Sequence, residues 1–164
     1  MKTDRLVTTE IMNGDFYISL PDGFHTMSEQ IAQAKYPAQN RPQLILTNDL
    51  TNVDYKFTYI NEVVSTDALE YLLKQTKIGL KRIFTGIEYY EENTIQVNNT
   101  RLGWFDYVSP AIGGKLYNIS FFTWIKNKLL QGTFTCEYID ACEWRECFLQ
   151  SIMSIKEERT NEQW

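Results

Sequence analysis

The sequence predicts an α+β fold, a three-layer α/β/α sandwich with a central, mainly antiparallel sheet. Three observations carry that reading. Strand-like runs follow one another through tight turns, and neighbours joined that way pair antiparallel, because parallel neighbours need long crossovers. The late strands carry large apolar residues on both faces. Over 115–125, Tyr117, Ile119, Phe121 and Ile125 point one way and Leu116, Phe122 and Trp124 the other. A sheet with one wet face would alternate more cleanly. Finally, two long segments place apolar residues at helical spacing and supply the outer layers.

Taken in order, runs at 6–11 and 16–20 flank Asn13-Gly14, a strong short-range hairpin signal. Leu20-Pro21-Asp22-Gly23 closes the second strand with turn chemistry. Ser28, followed by Glu29 and Gln30, starts a short helix that runs to about Tyr36 and stops before Pro37, since the residue before proline is pushed out of the α region. A short apolar strand at 43–47 precedes 53–60, where Val53, Tyr55, Phe57 and Tyr59 share a face.

Asp67 and Glu70 resemble a capping box for a long helix. Leu69, Leu72, Leu73, Thr76, Leu80 and Ile83 form its apolar stripe, and Gly86 ends it. Two short strands follow, one holding Ile87 and Tyr89 and one at 94–97, before an Asn98-Asn99 turn. Strands at 101–109, 115–125 and 128–136 are separated by Gly113-Gly114 and Lys126-Asn127. A closing helix starts at Asp140, with Glu143 three residues on, and presents Trp144, Phe148, Ser151, Ile152 and Ile155 on one face.

The 164 residues suit one domain, read as 1–156 with a polar tail at 157–164. Hydrophobic residues make up 43% and charged residues 23%, a globular balance rather than a disordered one. A formal charge of −5 with no Lys/Arg cluster argues against nucleic acid or an anionic membrane as partner. No apolar run approaches a bilayer-spanning length, so no membrane insertion is expected. The first eleven residues hold Lys2, Asp4, Arg5 and Glu10, with neither an apolar leader core nor an early cysteine for a lipid. Cys136, Cys142 and Cys147 match neither a disulfide framework nor paired zinc-ligand spacing, and read as buried or partly buried free thiols in a reducing cytoplasm.

His25, the one histidine, would have to serve any Cys-His or Ser-His nucleophilic arrangement, but nothing places a thiol or a third orienting group beside it. A structural or surface histidine is the simpler reading. The expectation is therefore no enzyme, no catalytic residue, no metal site and no cofactor. Gly113-Gly114 lacks the glycine pattern and following helix of a phosphate loop. Trp104, Trp124 and Trp144 read as core, and Trp164 as a frayed end or a docking residue.

The segment 21–42 is the best binding candidate, because long connections with few apolar positions run on the surface. Its Phe24, His25, Met27, Tyr36 and Arg41 are side chains typical of interface centres, although Phe24 and Tyr36 could equally pin the short helix to the sheet. Glu88, Glu91 and Glu92 form an acidic patch, either a solvated edge or a rim that selects a basic partner.

Several stretches resemble a known family. They are Ile18-Ser19-Leu20-Pro21-Asp22-Gly23-Phe24, the run from Tyr36-Pro37 to Asn40-Arg41-Pro42 with the strand after it, and the late strands leading to Trp144 and Ser151-Ile152. Together they cover most of the chain and are similar to the Mog1/PsbP-like superfamily, most closely its bacterial DcrB-like branch. The resemblance implies the sandwich already read from the residues, together with non-enzymatic roles: binding a small GTPase, assisting a photosynthetic complex, or serving as chaperones for effectors of bacterial secretion systems. The lipoprotein signal of some envelope members is missing here, which favours a cytoplasmic protein. The expectation is a small adapter or chaperone-like protein whose partner is another protein. A secretion-effector chaperone would be a homodimer with an apolar groove. The competing reading is a small-ligand binder or cryptic hydrolase using a pocket between sheet and helix.

Overall fold

The structure, a computed structural model, describes residues 5–37 and 41–158. Residues 1–4, Asn40, Trp164 and most of the expected tail lie outside the described residues. A seven-stranded antiparallel sheet forms the middle layer. Across it, the order is β3 (His25–Thr26), β4 (Leu44–Thr47), β5 (Val53–Tyr59), β9 (Lys128–Glu137), β8 (Gly114–Ile125), β7 (Thr100–Ala111) and β6 (Glu88–Val97). One face is covered by α3 (Ala141–Met153) and by a hairpin of β1 (Leu6–Ile11) and β2 (Phe16–Pro21). The other carries α1 (Glu29–Lys35) and α2 (Leu69–Ile83). None of the described helices is long and apolar enough to cross a membrane.

Aromatic packing dominates the α3 face. Phe134 sits 4.2 Å from the Tyr55 ring and 5.3 Å from that of Phe121, centroid to centroid, and Phe148 of α3 closes on it at 5.8 Å. Gly132 leaves the room that Phe121 fills: a Cβ there would collide with the Cε2 and Cζ atoms of that ring. The β1–β2 hairpin presses Phe16, Ile18 and Leu20 into the same core rather than extending the sheet, so this layer is part helix and part hairpin. A serine relay clips it down: Ser151 Oγ donates to Ser19 O at 2.7 Å, and Ser19 N donates to Ser154 Oγ at 2.7 Å. On the opposite face α2 seats Leu69 and Leu73 over Gly103, where an added Cβ would meet Leu73 Cδ1 at 2.8 Å.

Several local expectations need correction. The turn at Asp67 is capped by Ser65, whose hydroxyl accepts from Asp67 N at 3.1 Å; a single 3₁₀ turn then leads into α2, so Asp67 is not the capping residue. Asp140 likewise makes no side-chain cap on α3. Ile112-Gly113 form the β7–β8 turn, since Ala111 pairs with Gly114 and places that glycine in the strand. Asn98-Asn99 and Lys126-Asn127 both turn with positive φ, as hairpin corners of this size require. Cys142 is exposed, whereas Cys136 and Cys147 are buried. Ile83 is 71% exposed and falls outside the helix's buried stripe.

The two short strands expected after α2 are one strand, β6, interrupted by a bulge. Tyr90 and Glu91 together face Asp106. The extra residue leaves a backbone donor without a ladder partner, and Glu91 N donates instead to the Asp106 carboxylate at 2.8 Å. The second oxygen of that buried carboxylate accepts from Tyr117 Oη at 2.7 Å and from Arg145 Nε at 3.0 Å, which ties the bulge to α3.

Candidate functional site

Between α1 and the end of α2, the sheet face is left uncovered. Its strands fix what lines the floor there. Register aligns Lys56 of β5 with Thr133 of β9 and Ser120 of β8, while Asp54, Thr135, Asn118 and Tyr107 make the next row. Pleating sends the alternate residues Val53, Tyr55 and Phe57 into the aromatic core and these polar ones into the gap. The result is an open trough of about 480 Å³, walled by Lys35 and Tyr36 on one side and by Phe84, Tyr107 and Pro110 on the other.

Its floor is a net of polar side chains. Tyr107 Oη lies 3.0 Å from Ser120 Oγ, which lies 2.9 Å from Thr133 Oγ1. Thr135 Oγ1 donates to Asn118 Oδ1 at 2.8 Å, and Asn118 Nδ2 donates to Ser109 Oγ at 3.1 Å. Burial pushes the Tyr107 phenol up to about 12. Asp54, below the α1 wall, is fully engaged. It accepts from Thr47 Oγ1 at 2.9 Å, from Tyr36 Oη at 2.5 Å and from Lys35 Nζ at 2.8 Å.

Lys56 differs from its neighbours. It is partly buried, and among the described residues its ammonium contacts the face of the Tyr36 ring, 5.2 Å from the centroid, but makes no ion pair. Desolvation holds it down to about 8, with Asp54 pulling the other way and Lys35 adding to the depression. Folding therefore favours the neutral amine. Above about 8 the unfolded chain binds more protons at this site than the folded one, so stability from Lys56 rises with pH up to the ordinary lysine value. Lys56→Met, which removes the charge and keeps the methylenes, should stabilise the protein at pH 7 by about 1–3 kcal/mol. Denaturation by urea from pH 7 to 10 should show that advantage shrinking; parallel profiles would rule out the burdened lysine.

The residues singled out from the sequence lie in two separate places. Those of 21–42 gather at the β3–β4 end of the sheet, and Glu88, Glu91 and Glu92 lie on β6, the opposite edge. Phe24 packs edge-on to Tyr55 at 5.1 Å and Trp144 at 6.0 Å. Met27 is buried with Ala32 and Ile45. His25 is exposed and lies 3.2 Å from Asp49. Arg41 pairs with Glu29 at 3.0 Å and donates to Tyr36 O at 3.1 Å. Glu88 accepts from Tyr90 Oη, Glu91 pairs with Arg145, and Glu92 pairs with Lys77 at 2.6 Å. Of these residues only Tyr36 borders the trough.

Lys56, Asn118, Ser120, Thr133 and Thr135 were missed, although a signal was present. Asp54-Lys56-Thr58, Gln131-Thr133-Thr135 and Asn118-Ser120 are polar at every second position in strands that prove to be neighbours. The second face of β8 is apolar at Leu116, which borders the trough, and at Phe122 and Trp124, where α2 lies over it.

No family model matches the chain, and no curated protein is similar to it in sequence. Solved structures match its fold. PsbP (CyanoP) from the cyanobacterium Synechocystis sp. PCC 6803 superposes with a TM-score of 0.62 at 8% identity, covering 92% of this chain and 91% of that one. LpqN of Mycobacterium tuberculosis, a protein involved in cell envelope biogenesis, gives 0.62 at 9% identity, covering 93% and 91%. PA94 of Pseudomonas aeruginosa, of unknown function, gives 0.56 at 12% identity, covering 95% and 99%. The α+β sandwich described here thus has the Mog1/PsbP-like fold.

Proposed function

We propose that the protein is a non-catalytic, cytoplasmic adapter that seats a segment of another polypeptide in the trough between α1 and α2. The observation that carries this reading is the open trough over a stretch of sheet face furnished with hydroxyl and amide groups, most of them buried and Thr133 half-buried beside Lys56. Such groups both donate and accept, as the one donor and one acceptor per residue of a polypeptide backbone require. The groups best suited to chemistry support the same reading. Burial raises the Cys136 thiol to about 12, far from a reactive thiolate, and His25 lies with Asp49 on the outer edge. The PsbP-like and LpqN neighbours agree with a role of this type. Within it we favour a chaperone-like protein of the DcrB-like bacterial branch, on the Ile18–Phe24 and Tyr36–Pro42 stretches, and a link to a secretion system as its most specific form.

A photo-crosslinking residue at Thr58, which borders the trough, tests the reading against one at Gln150, exposed on α3. Capture at Thr58, mapped to one contiguous segment of one protein and absent at Gln150, is the expected result. Equal capture at both positions, or none at Thr58, would overturn it. The trough's volume also suits a small molecule, and a tightly held metabolite released on denaturation would replace the adapter reading by a ligand-binding one.

A further inference from the structure

Among the described residues, the trough carries a charge that no ion pair answers. Asp54, the carboxylate beside it in the sheet, already takes Lys35, Tyr36 and Thr47 as donors. Lys35 is spent on that carboxylate and on Thr51 O at 2.9 Å. Among the described residues, Lys56 has the π face of Tyr36 and the pull of Asp54, but no ion pair of its own. A half-buried cation so placed is costly unless something pairs with it, and the open side of the trough is where a counter-charge can arrive.

The floor beside it is set for an acceptor as well. Tyr107, Ser120 and Thr133 are three hydroxyls joined by two hydrogen bonds, so one hydroxyl proton of the chain is left over. When the chain runs from Tyr107 to Thr133, that free proton is on Thr133, directly across the β5–β9 ladder from Lys56. An ammonium and a hydroxyl converging from adjacent strands suit a carboxylate, which accepts from both at once. The acids of this chain reinforce the choice. Glu88, Glu91 and Glu92 lie on the far edge strand, where Glu91 and Glu92 are already paired with Arg145 and Lys77, so that edge offers an acidic segment no open cation while the trough offers Lys56.

Resting on the adapter reading, we infer that the trough selects an acidic segment of its polypeptide partner, with Lys56 receiving an Asp or Glu side chain and Thr133 supplying the second donor. Lys56 is then the specificity-determining residue of the interaction surface. The amine's raised cost in the free protein is relieved when the carboxylate docks, which makes the pairing stronger than a surface ion pair.

The full-length protein, labelled with ¹⁵N, is titrated with extended ten-residue peptides of Ser, Thr and Ala bearing one central Glu, with the Glu→Gln peptide, and with N-acetylglutamate amide alone. The Glu peptide should shift the amides of Lys56, Thr133 and Thr135 and bind about tenfold more tightly than the Gln peptide. Lys56→Met should remove that preference while Lys56→Arg keeps it, and the Arg variant guards against a loss that merely reflects altered folding. Equal binding of the two peptides, no shift at these amides at millimolar peptide, or a preference that survives Lys56→Met would overturn the inference. If N-acetylglutamate amide binds as tightly as the peptide, the site takes a free small acid and the polypeptide partner falls. A Thr58 crosslink to a segment without Asp or Glu would sink the role of Lys56 and leave the adapter standing; no crosslink there would sink the adapter itself.

Discussion

Gly132→Ala should lower stability by about 3 kcal/mol, at the upper end of what one added methyl costs in a packed core. The glycine stands between Phe57 and Phe121 across three central strands, with the Phe121 ring laid over its Cα. The ring cannot swing aside freely, because Phe134 holds it at 5.3 Å in an edge-to-face contact. Glycine in a strand interior is normally a weakness; here it is the space into which the aromatic core closes. Paired with Phe121→Leu, which shrinks the colliding group, the alanine should cost less than the sum of the two single changes by about 1 kcal/mol or more. Urea denaturation of the four proteins gives that coupling directly. Additivity would show that the ring yields and that Gly132 is not the constraint.

Asp106→Asn should cost about 3–5 kcal/mol, the loss expected when one partner leaves a buried charged cluster. Its two oxygens take Glu91 N, Tyr117 Oη and Arg145 Nε, all donors. An amide turned to satisfy one side presents its own N–H groups to the other, and Arg145 keeps its charge beside a neutral group. The Tyr117 phenol is held well above its ordinary range by burial and by this carboxylate, so it stays a donor throughout the working range of pH. Beyond the loss in denaturation midpoint, the Glu91 amide should exchange with solvent much faster in the variant, since the bulge gives it no ladder bond to fall back on. Unchanged protection at Glu91 would mean that water replaces the carboxylate and the clamp is dispensable.

Most of the architecture was legible in the sequence because period-two and helical patterns report burial directly. Thus Tyr117, Ile119 and Phe121 fixed the aromatic face of β8, and Trp144, Phe148 and Ile152 the inner face of α3. What escaped is what pattern does not encode. The β6 bulge escaped because 90–93 read as a break between a strand holding Ile87 and Tyr89 and another at 94–97; only a long-range partner, Asp106, makes them one. Strand β3 escaped because two residues have no period. The trough escaped for a different reason. Its polar positions sit on strands far apart in the chain, and each alone reads as an ordinary half-exposed strand; only the β5–β9 pairing turns Lys56 and Thr133 into neighbours. The 21–42 segment drew notice for its side-chain types, yet Phe24 and Met27 serve packing and Arg41 pairs locally.

That β5–β9 pairing also bears on how the chain comes together. Strands β6 to β9 are joined by short turns and can zip from one hairpin to the next. By contrast, Tyr59 pairs with Leu130 and Val53 with Cys136, so joining β5 to the meander closes a loop that contains α2 and three whole strands. Closing so long a loop costs more entropy than any single hairpin. The seam between β5 and β9 is therefore the late joint of folding, and Lys56 and Thr133 face each other across it. While that seam is open there is no trough, so capacity to hold a partner arrives only with the completed fold.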